Sequence, residues 1–177
     1  MEINWKQSAL LIIDMQNDFA KPNGKAYIDG TAEVVEHIAG IAEFFRRKHL
    51  PIIHVVRLYL EDGSNAELCR KQSIMQGNPI VAPGSAGAGI IAELLPSNVG
   101  KYSDQSLLGG GMIPISPYDF VIYKPRWGAF YNTELDNWLQ SRQVDSLLVT
   151  GCNFPNCPRT TLYEASERDY RLAIVPD

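Results

Sequence analysis

The chain has 177 residues, and its 16 lysines and arginines are outnumbered by 20 aspartates and glutamates, which gives a formal net charge of −4. This acidic balance argues against a protein that binds nucleic acid or an anionic membrane surface, because both functions need dense patches of lysine and arginine. A chain of this length is expected to fold as one domain with a substantial core. The sequence has no apolar run close to the roughly 20 residues of a transmembrane helix.

The cysteines and the first residues indicate a cellular compartment. Cys69, Cys152 and Cys157 are an odd number of cysteines in a mid-sized chain, which argues against a disulfide framework. The first residues lack the basic segment and the apolar segment of a secretory signal. We therefore expect a reducing, cytoplasmic environment, in which each thiol is open to a chemical role.

Five short apolar runs predict β-strands. They are almost continuously apolar rather than alternating, a pattern that is typical of parallel strands covered on both faces. The predicted strands are residues 9–13, 52–56, 120–123, 147–150 and 172–175.

Helical patterns lie between these strands, so the sequence predicts an α/β fold with a mostly parallel sheet. The predicted helices are residues 31–48, a shorter candidate at 85–95, a helix that starts near Thr133, and a last helix from Cys157 to about Arg168. The segment 97–117, which is rich in glycine and proline, interrupts the alternation. We expect it to be a surface insertion in a single domain that spans residues 1–177.

Chemically useful residues follow three of the predicted strands where each strand ends. Asp14 follows the first strand, Lys124 follows the third, and a loop that ends at Cys157 follows the fourth. In open parallel sheets, ligands bind beyond the carboxyl ends of the strands. We therefore expect an acid, an amine and a thiol to meet at one end of the sheet.

Cys157 is the strongest candidate for a nucleophile. Pro158 fits the first position of a helix, which makes Cys157 the residue that caps the helix N-terminus. The helix dipole and a neighbouring lysine are expected to favour the thiolate, and an aspartate could accept the thiol proton. An isolated cysteine is more often buried and inert, and we interpret Cys69 and Cys152 as structural.

The loop after Lys124 is rich in aromatic side chains. Trp127 and Phe130, together with Phe19, are candidates for the wall of a substrate pocket around a small planar group. The alternative is that the aromatic side chains form a hydrophobic plug between the loop and a helix.

The sequence predicts neither a metal nor a cofactor. The three histidines are scattered, without the paired spacing of zinc ligands. Gly87 and Gly89 belong to a pattern that matches the dinucleotide fingerprint, but prolines interrupt the preceding segment. No acidic residue stands about 20 positions further on, where such a site would need one.

Three stretches together resemble the isochorismatase-like cysteine hydrolases, a superfamily that includes nicotinamidases, N-carbamoylsarcosine amidohydrolases, ureidoacrylate hydrolases and isochorismatases. They are LLIIDMQNDF, YKPRWGAFYNTELDNWLQSR and LLVTGCNFPNCPRTTLYEASERDYRLAIVPD. The resemblance implies a three-layer α/β/α, Rossmann-like fold, a homo-oligomer, and a catalytic triad of Asp14, Lys124 and Cys157. It also implies a cis peptide between Cys152 and Asn153, with the N–H groups of Asn153 and Cys157 forming an oxyanion hole.

Three departures from the family pattern affect the functional interpretation. The family usually has Thr-x-x-Cys where this chain has Phe154-Pro155-Asn156-Cys157, which alters the floor of the pocket. Nicotinamidases have an Asp-x-His metal motif where this chain has Leu-Glu-Asp at residues 60–62, which argues against zinc and against nicotinamide. Family members usually continue with a further helix and strand, so we expect a C-terminus that is short for the family.

The sequence therefore predicts a metal-independent cysteine amidohydrolase that cleaves a small amide, carbamoyl or ureido substrate through a thioester. Two alternatives stay open: a hydrolase of isochorismate-like vinyl ethers, and a non-catalytic module for binding or oligomerisation. The expected partners are a small-molecule substrate and further copies of the chain, with no nucleic acid and no membrane.

Overall fold

The computed structural model describes residues 2–175, and their centre is a six-stranded sheet. The strand order is β3-β4-β2-β1-β5-β6, with β3 antiparallel to β4 and every other neighbouring pair parallel. The strands are β1 (Ser8–Ile13), β2 (Ile52–Val56), β3 (Ile113–Pro114), β4 (Asp119–Tyr123), β5 (Ser146–Gly151) and β6 (Arg171–Ile174). The prediction of a mostly parallel α/β sheet is confirmed, and β3 is the strand that the sequence patterns missed.

Helices cover both faces of this sheet. They are α1 (Asn17–Ala20), α2 (Thr31–Arg47), α3 (Leu68–Met75), α4 (Asp104–Leu108), α5 (Leu135–Ser141) and α6 (Cys157–Ser166). Alternate side chains of β1 pack in the two hydrophobic cores on opposite faces of the sheet. Leu10 and Ile12 pack in the same core as Phe45 of α2, whereas Leu11 packs in the core that contains Leu139 of α5. None of the helices in residues 2–175 has the length and apolar character needed to cross a membrane.

The prediction of a helix at residues 85–95 is wrong. The structure has only two short 3-10 turns there, Ala86–Ala88 and Ala92–Leu94. The chain between them is extended and bonds to the segment after β1, because the N–H of Ile91 donates to the carbonyl of Met15 at 3.1 Å. These tertiary hydrogen bonds replace the bonds that a continuous helix would make.

The segment 97–117 is more ordered than a simple surface excursion. It contains α4 and β3, and β3 forms an edge of the sheet by pairing with β4. Leu107 and Ile115 anchor it, since both are almost completely buried. The expected short C-terminus lies outside the described residues.

A buried ion cluster ties α2 to β2 and β4. The carboxylate of Asp119 accepts hydrogen bonds from Arg46 Nη2 at 2.7 Å and Ser116 Oγ at 2.7 Å, and it lies 3.1 Å from Nε2 of His54. Burial acts to raise the pKa of Asp119, but the hydrogen bonds from His54, Arg46 and Ser116 outweigh it and hold the pKa at about 2. The ionised carboxylate therefore stabilises the folded state.

Replacing this carboxylate should lower stability strongly. In Asp119→Ala, the side chains of Arg46 and His54 lose their buried partner, so we expect the free energy of unfolding at neutral pH to fall by about 3–5 kcal/mol. Urea unfolding followed by circular dichroism measures this change, and a loss below about 1 kcal/mol would contradict it.

The same cluster predicts an acid-dependent part of the stability. Because the folded-state pKa of Asp119 lies below its ordinary value near 4, its contribution is present above about pH 4 and is lost as the pH falls towards about 2. The isosteric variant Asp119→Asn should lack this part of the decline. Equal slopes for the two proteins across that interval would contradict the assignment.

Candidate active site

Asp14, Lys124 and Cys157 lie in contact beyond the carboxyl ends of β1, β4 and β5. The Nζ atom of Lys124 is 3.1 Å from Oδ2 of Asp14 and 3.3 Å from Sγ of Cys157. All three residues are buried, and Lys124 is completely so. The sheet thus brings together the acid, the amine and the thiol that were expected to meet because each follows a parallel strand.

The backbone turns sharply where β1 and β5 end. Asp14 and Asn153 have positive φ values of 56° and 60°, and Gly151 has a φ of 127°. A side chain at Gly151 would also collide with the backbone of Ile13, so only glycine allows β5 to approach β1 this closely. Positive φ at non-glycine residues costs free energy, and such residues concentrate at functional sites.

The start of α6 positions the thiol of Cys157. The helix begins at Cys157. The sequence predicted Cys157 as the N-cap, but the N-cap is Asn156. Burial and the negative charge of Asp14 raise the pKa of the Cys157 thiol to about 12, and the cation of Lys124 offsets this only in part. The expectation of a favoured thiolate is therefore wrong, because the sequence pattern shows neither the depth of burial nor the proximity of the carboxylate.

Lys124 and Asp14 form the charged part of the site. Burial acts to lower the pKa of Lys124, but the negative charge of Asp14 raises it above its ordinary value, which keeps the side chain an ammonium. Oδ2 of Asp14 contacts that ammonium, whereas Oδ1 is buried and has no hydrogen-bond partner among residues 2–175. One carboxylate oxygen is therefore left to accept a proton.

The loop between β5 and α6 holds two unused backbone donors. The N–H groups of Asn153 and Cys157 donate to no other group in the described part of the chain. The expected cis peptide between Cys152 and Asn153 is wrong, since no peptide bond in residues 2–175 is cis. The trans form is the lower in energy, and the positive φ values of Gly151 and Asn153 turn the chain instead.

A small pocket opens onto the thiol. The residues that line it are Asp14, Phe19, Ile28, Arg57, Tyr59, Arg70, Trp127, Cys152, Asn153, Asn156 and Cys157. Phe19 and Trp127 lie where they were expected.

Phe130 does not line this pocket. It is buried in the core beneath α5 and α6, and its ring centroid is 5.8 Å from that of Tyr170. For Phe130 the hydrophobic-plug interpretation is therefore the better description. Cys69 is exposed on α3, whereas Cys152 lies at the pocket and its Sγ donates to the carbonyl of Asp14 at 3.3 Å.

Comparison with known proteins identifies the family. Residues 8–103 and 111–177 match the isochorismatase domain family. The chain belongs to the isochorismatase family. The break in this match, at residues 104–110, falls within the segment that interrupts the strand–helix alternation.

Two relatives of this isochorismatase-family chain have names that differ in activity: one is called a probable inactive enzyme, and the other an amidohydrolase. It is 30% identical over 180 residues to a probable inactive nicotinamidase of Arabidopsis thaliana, covering 100% of this chain and 82% of the relative. It is 27% identical over 188 residues to a ureidoacrylate amidohydrolase of Methylobacterium radiotolerans, covering 95% of this chain and 65% of the relative. This chain therefore spans just under two thirds of that amidohydrolase.

A crystal structure supports the same family. The isochorismatase family protein of Desulfovibrio vulgaris is 36% identical and superposes with a TM-score of 0.81, over 96% of this chain and 79% of that one. This likeness, together with the helices on both faces of the sheet, confirms the three-layer α/β/α arrangement that the sequence predicted for our chain.

Several pocket residues of this family member were not predicted from the sequence, among them the charged and aromatic side chains of Arg57, Tyr59 and Arg70. Arg57 and Tyr59 follow β2, so the rule that identified Asp14 could also have found them. Arg70 lies on α3, a largely polar helix whose place in the fold no sequence pattern predicted. Arg70 can be recognised as a pocket residue only once α3 is known to pack beside the pocket.

The glycine pattern at residues 87–92 has a packing explanation in this isochorismatase-family chain. A side chain at Gly87 would collide with the carboxylate of Asp18. That carboxylate is buried, and its Oδ2 accepts a hydrogen bond from the N–H of Val81 at 2.7 Å. The glycine thus permits a close approach to α1. No group of three or more His, Cys, Asp or Glu side chains suited to a metal ion occurs in residues 2–175.

Proposed function

We propose that this chain is a metal-independent cysteine amidohydrolase that cleaves a small amide, carbamoyl or ureido compound. The observation that carries the proposal is the contact of one buried ammonium, Lys124, with both the Asp14 carboxylate and the Cys157 sulfur. A nucleophile, a base and a group that orients them are the parts that covalent catalysis needs.

In the first half of the reaction, Oδ1 of Asp14 takes the thiol proton as Sγ of Cys157 attacks the substrate carbonyl. Proton transfer has to accompany the attack, because a pKa of about 12 keeps the resting sulfur protonated. The N–H groups of Asn153 and Cys157 stabilise the developing oxyanion, and each such donor contributes about 10²–10³ in rate.

In the second half, the C–N bond breaks and the amine leaves with the proton from Asp14, which forms a thioester at Cys157. Asp14 then takes a proton from water, the water attacks the thioester, and the thiol regains its proton as the acid leaves. Lys124 stays an ammonium throughout and holds the carboxylate of Asp14 in place.

The proposal includes a catalytic triad of Asp14, Lys124 and Cys157, a cytoplasmic setting and a homo-oligomer. A reducing compartment suits a chain with an exposed free thiol at Cys69. The oligomer rests on the family resemblance.

A non-catalytic role is the second candidate. The relative that shares 30% identity is described as a probable inactive nicotinamidase, and in this chain an exposed Phe154 stands where the family usually has threonine. A non-catalytic protein would keep the fold and the pocket without turnover.

The test is a screen of the full chain for ammonia release from small primary amides, ureides and carbamoyl amino acids. We expect at least one class to give ammonia above a protein-free blank, in equal amount with its second product. That product is the matching acid for an amide, and the amine with carbon dioxide for a ureide or a carbamoyl amino acid. Folded protein that releases ammonia from none of them would overturn the proposal in favour of a non-catalytic role. Pyruvate from an isochorismate-like vinyl ether in place of ammonia would favour the other hydrolase class.

A further inference from the structure

Two arginines line the pocket, and they differ in whether the guanidinium has partners within the protein. The guanidinium of Arg57 is buried and occupied: its Nη1 donates to the carbonyl of Leu58 at 2.8 Å, and its Nη2 donates to that of Asn65 at 2.5 Å. Glu67 neutralises its charge, with Oε1 at 3.3 Å from Nη2. Arg57 therefore has little capacity left for a ligand.

Arg70 lines the same pocket without such partners. Its guanidinium forms no ion pair and donates no hydrogen bond within the described part of the chain, and the residue is only partly buried. Its guanidinium lies 5.9 Å from the ring centroid of Tyr59, which is the ring that Arg57 stacks on at 4.1 Å. Arg70 thus places an uncompensated cation at the pocket.

The other charges at the pocket leave this cation without compensation. Asp14 is the only acidic side chain that lines the pocket among residues 2–175, and it is paired with Lys124. Glu67, which lies just before α3, is engaged by Arg57 and by the hydroxyl of Tyr59 at 2.7 Å. The pocket therefore has a net positive charge that an anionic ligand would neutralise.

We propose that Arg70 binds a carboxylate of the substrate, and that the substrates are short carboxylic acids that carry an amide, carbamoyl or ureido group. The inference rests on the proposed function for the identity of the cleaved group. The carbonyl lies against Cys157, the chain of the substrate lies along Phe19 and Trp127, and the carboxylate pairs with Arg70. An arginine fork suits this last contact, because it donates two parallel hydrogen bonds to a carboxylate.

The test compares matched anionic and neutral compounds on the wild-type protein and on Arg70→Met. Suitable pairs are succinamate with butanamide, and N-carbamoylglycine with propylurea. A charge-assisted contact of this kind predicts a loss of about 10- to 100-fold in kcat/KM for the anion, mostly through KM, and little change for the neutral compound. Arg70→Lys should restore part of the loss, and Arg47→Met, at an exposed arginine of α2, should leave both rates unchanged.

Equal losses for both members of a pair, or no loss for either, would overturn the role of Arg70 while leaving the proposed function standing. A second arm does not depend on turnover: calorimetry of succinamate and butanamide binding to Cys157→Ala, with and without Arg70→Met. We expect tighter binding of succinamate, and the loss of that preference in the double variant. Equal affinities for the two compounds would overturn the inference even if no substrate is ever cleaved.

Discussion

A Cys157→Ala protein is expected to lose at least about 10⁴-fold in kcat/KM on any amide that the wild-type protein cleaves, because the reaction loses its only proposed nucleophile. The sulfur sits at the start of α6, 3.3 Å from Lys124 and at the pocket. In the folded variant, Asp14 and Lys124 keep their ion pair, so the site stays charged and assembled. Initial rates of ammonia release at substrate concentrations well below KM measure the loss.

The matched control is Cys69→Ala, which removes an exposed thiol of α3 that does not line the pocket. It should hydrolyse substrate at the wild-type rate. Mass spectrometry of acid-quenched wild-type protein should detect an acyl group on Cys157, and Cys157→Ala should carry none. A Cys157→Ala protein with more than about a hundredth of the wild-type rate would contradict covalent catalysis at this thiol.

Much of the fold and the centre of the site could be predicted from local sequence patterns. The predicted strands are short, almost continuously apolar runs that alternate with helical patterns, so their positions and parallel arrangement follow from the order of residues along the chain. Once the strands are known, the residues that follow them must meet at one end of the sheet. Asp14, Lys124 and Cys157 were found in this way, without knowledge of any distance.

The rest of the site depends on tertiary contacts that no local pattern encodes. Arg70 belongs to a polar helix, and only the packing of α3 beside Tyr59 makes it a pocket residue. The pKa of Cys157 was predicted in the wrong direction, because its sign depends on burial and on the distance to Asp14. Phe130 was misplaced because an aromatic loop residue can face either the pocket or the core.

Asp14→Asn should lower turnover while making the thiol of Cys157 more reactive. Asparagine cannot accept the thiol proton, so loss of the general base predicts a fall of about 10²–10⁴ in kcat/KM. Asparagine is also among the residues that tolerate positive φ, so the backbone at this position, with its φ of 56°, can be kept. The loss should therefore reflect chemistry rather than unfolding.

The second effect has the opposite sign. The negative charge of Asp14 helps to raise the pKa of Cys157, and Lys124 opposes it. Without that charge, the remaining cation should lower the thiol pKa and increase the thiolate fraction near neutral pH by about tenfold or more. Alkylation of Cys157 by iodoacetamide, measured by mass spectrometry in a Cys69→Ala background, should accelerate accordingly.

Asp29→Asn provides the control, since it neutralises an exposed aspartate outside the pocket. It should change neither turnover nor alkylation. If Asp14→Asn slowed both reactions together, the carboxylate would be acting on the structure of the site, because loss of a base alone leaves the sulfur more easily ionised. Slower turnover combined with faster alkylation separates the two roles of Asp14: it keeps the resting thiol protonated, and it takes the thiol proton when a substrate carbonyl is in place.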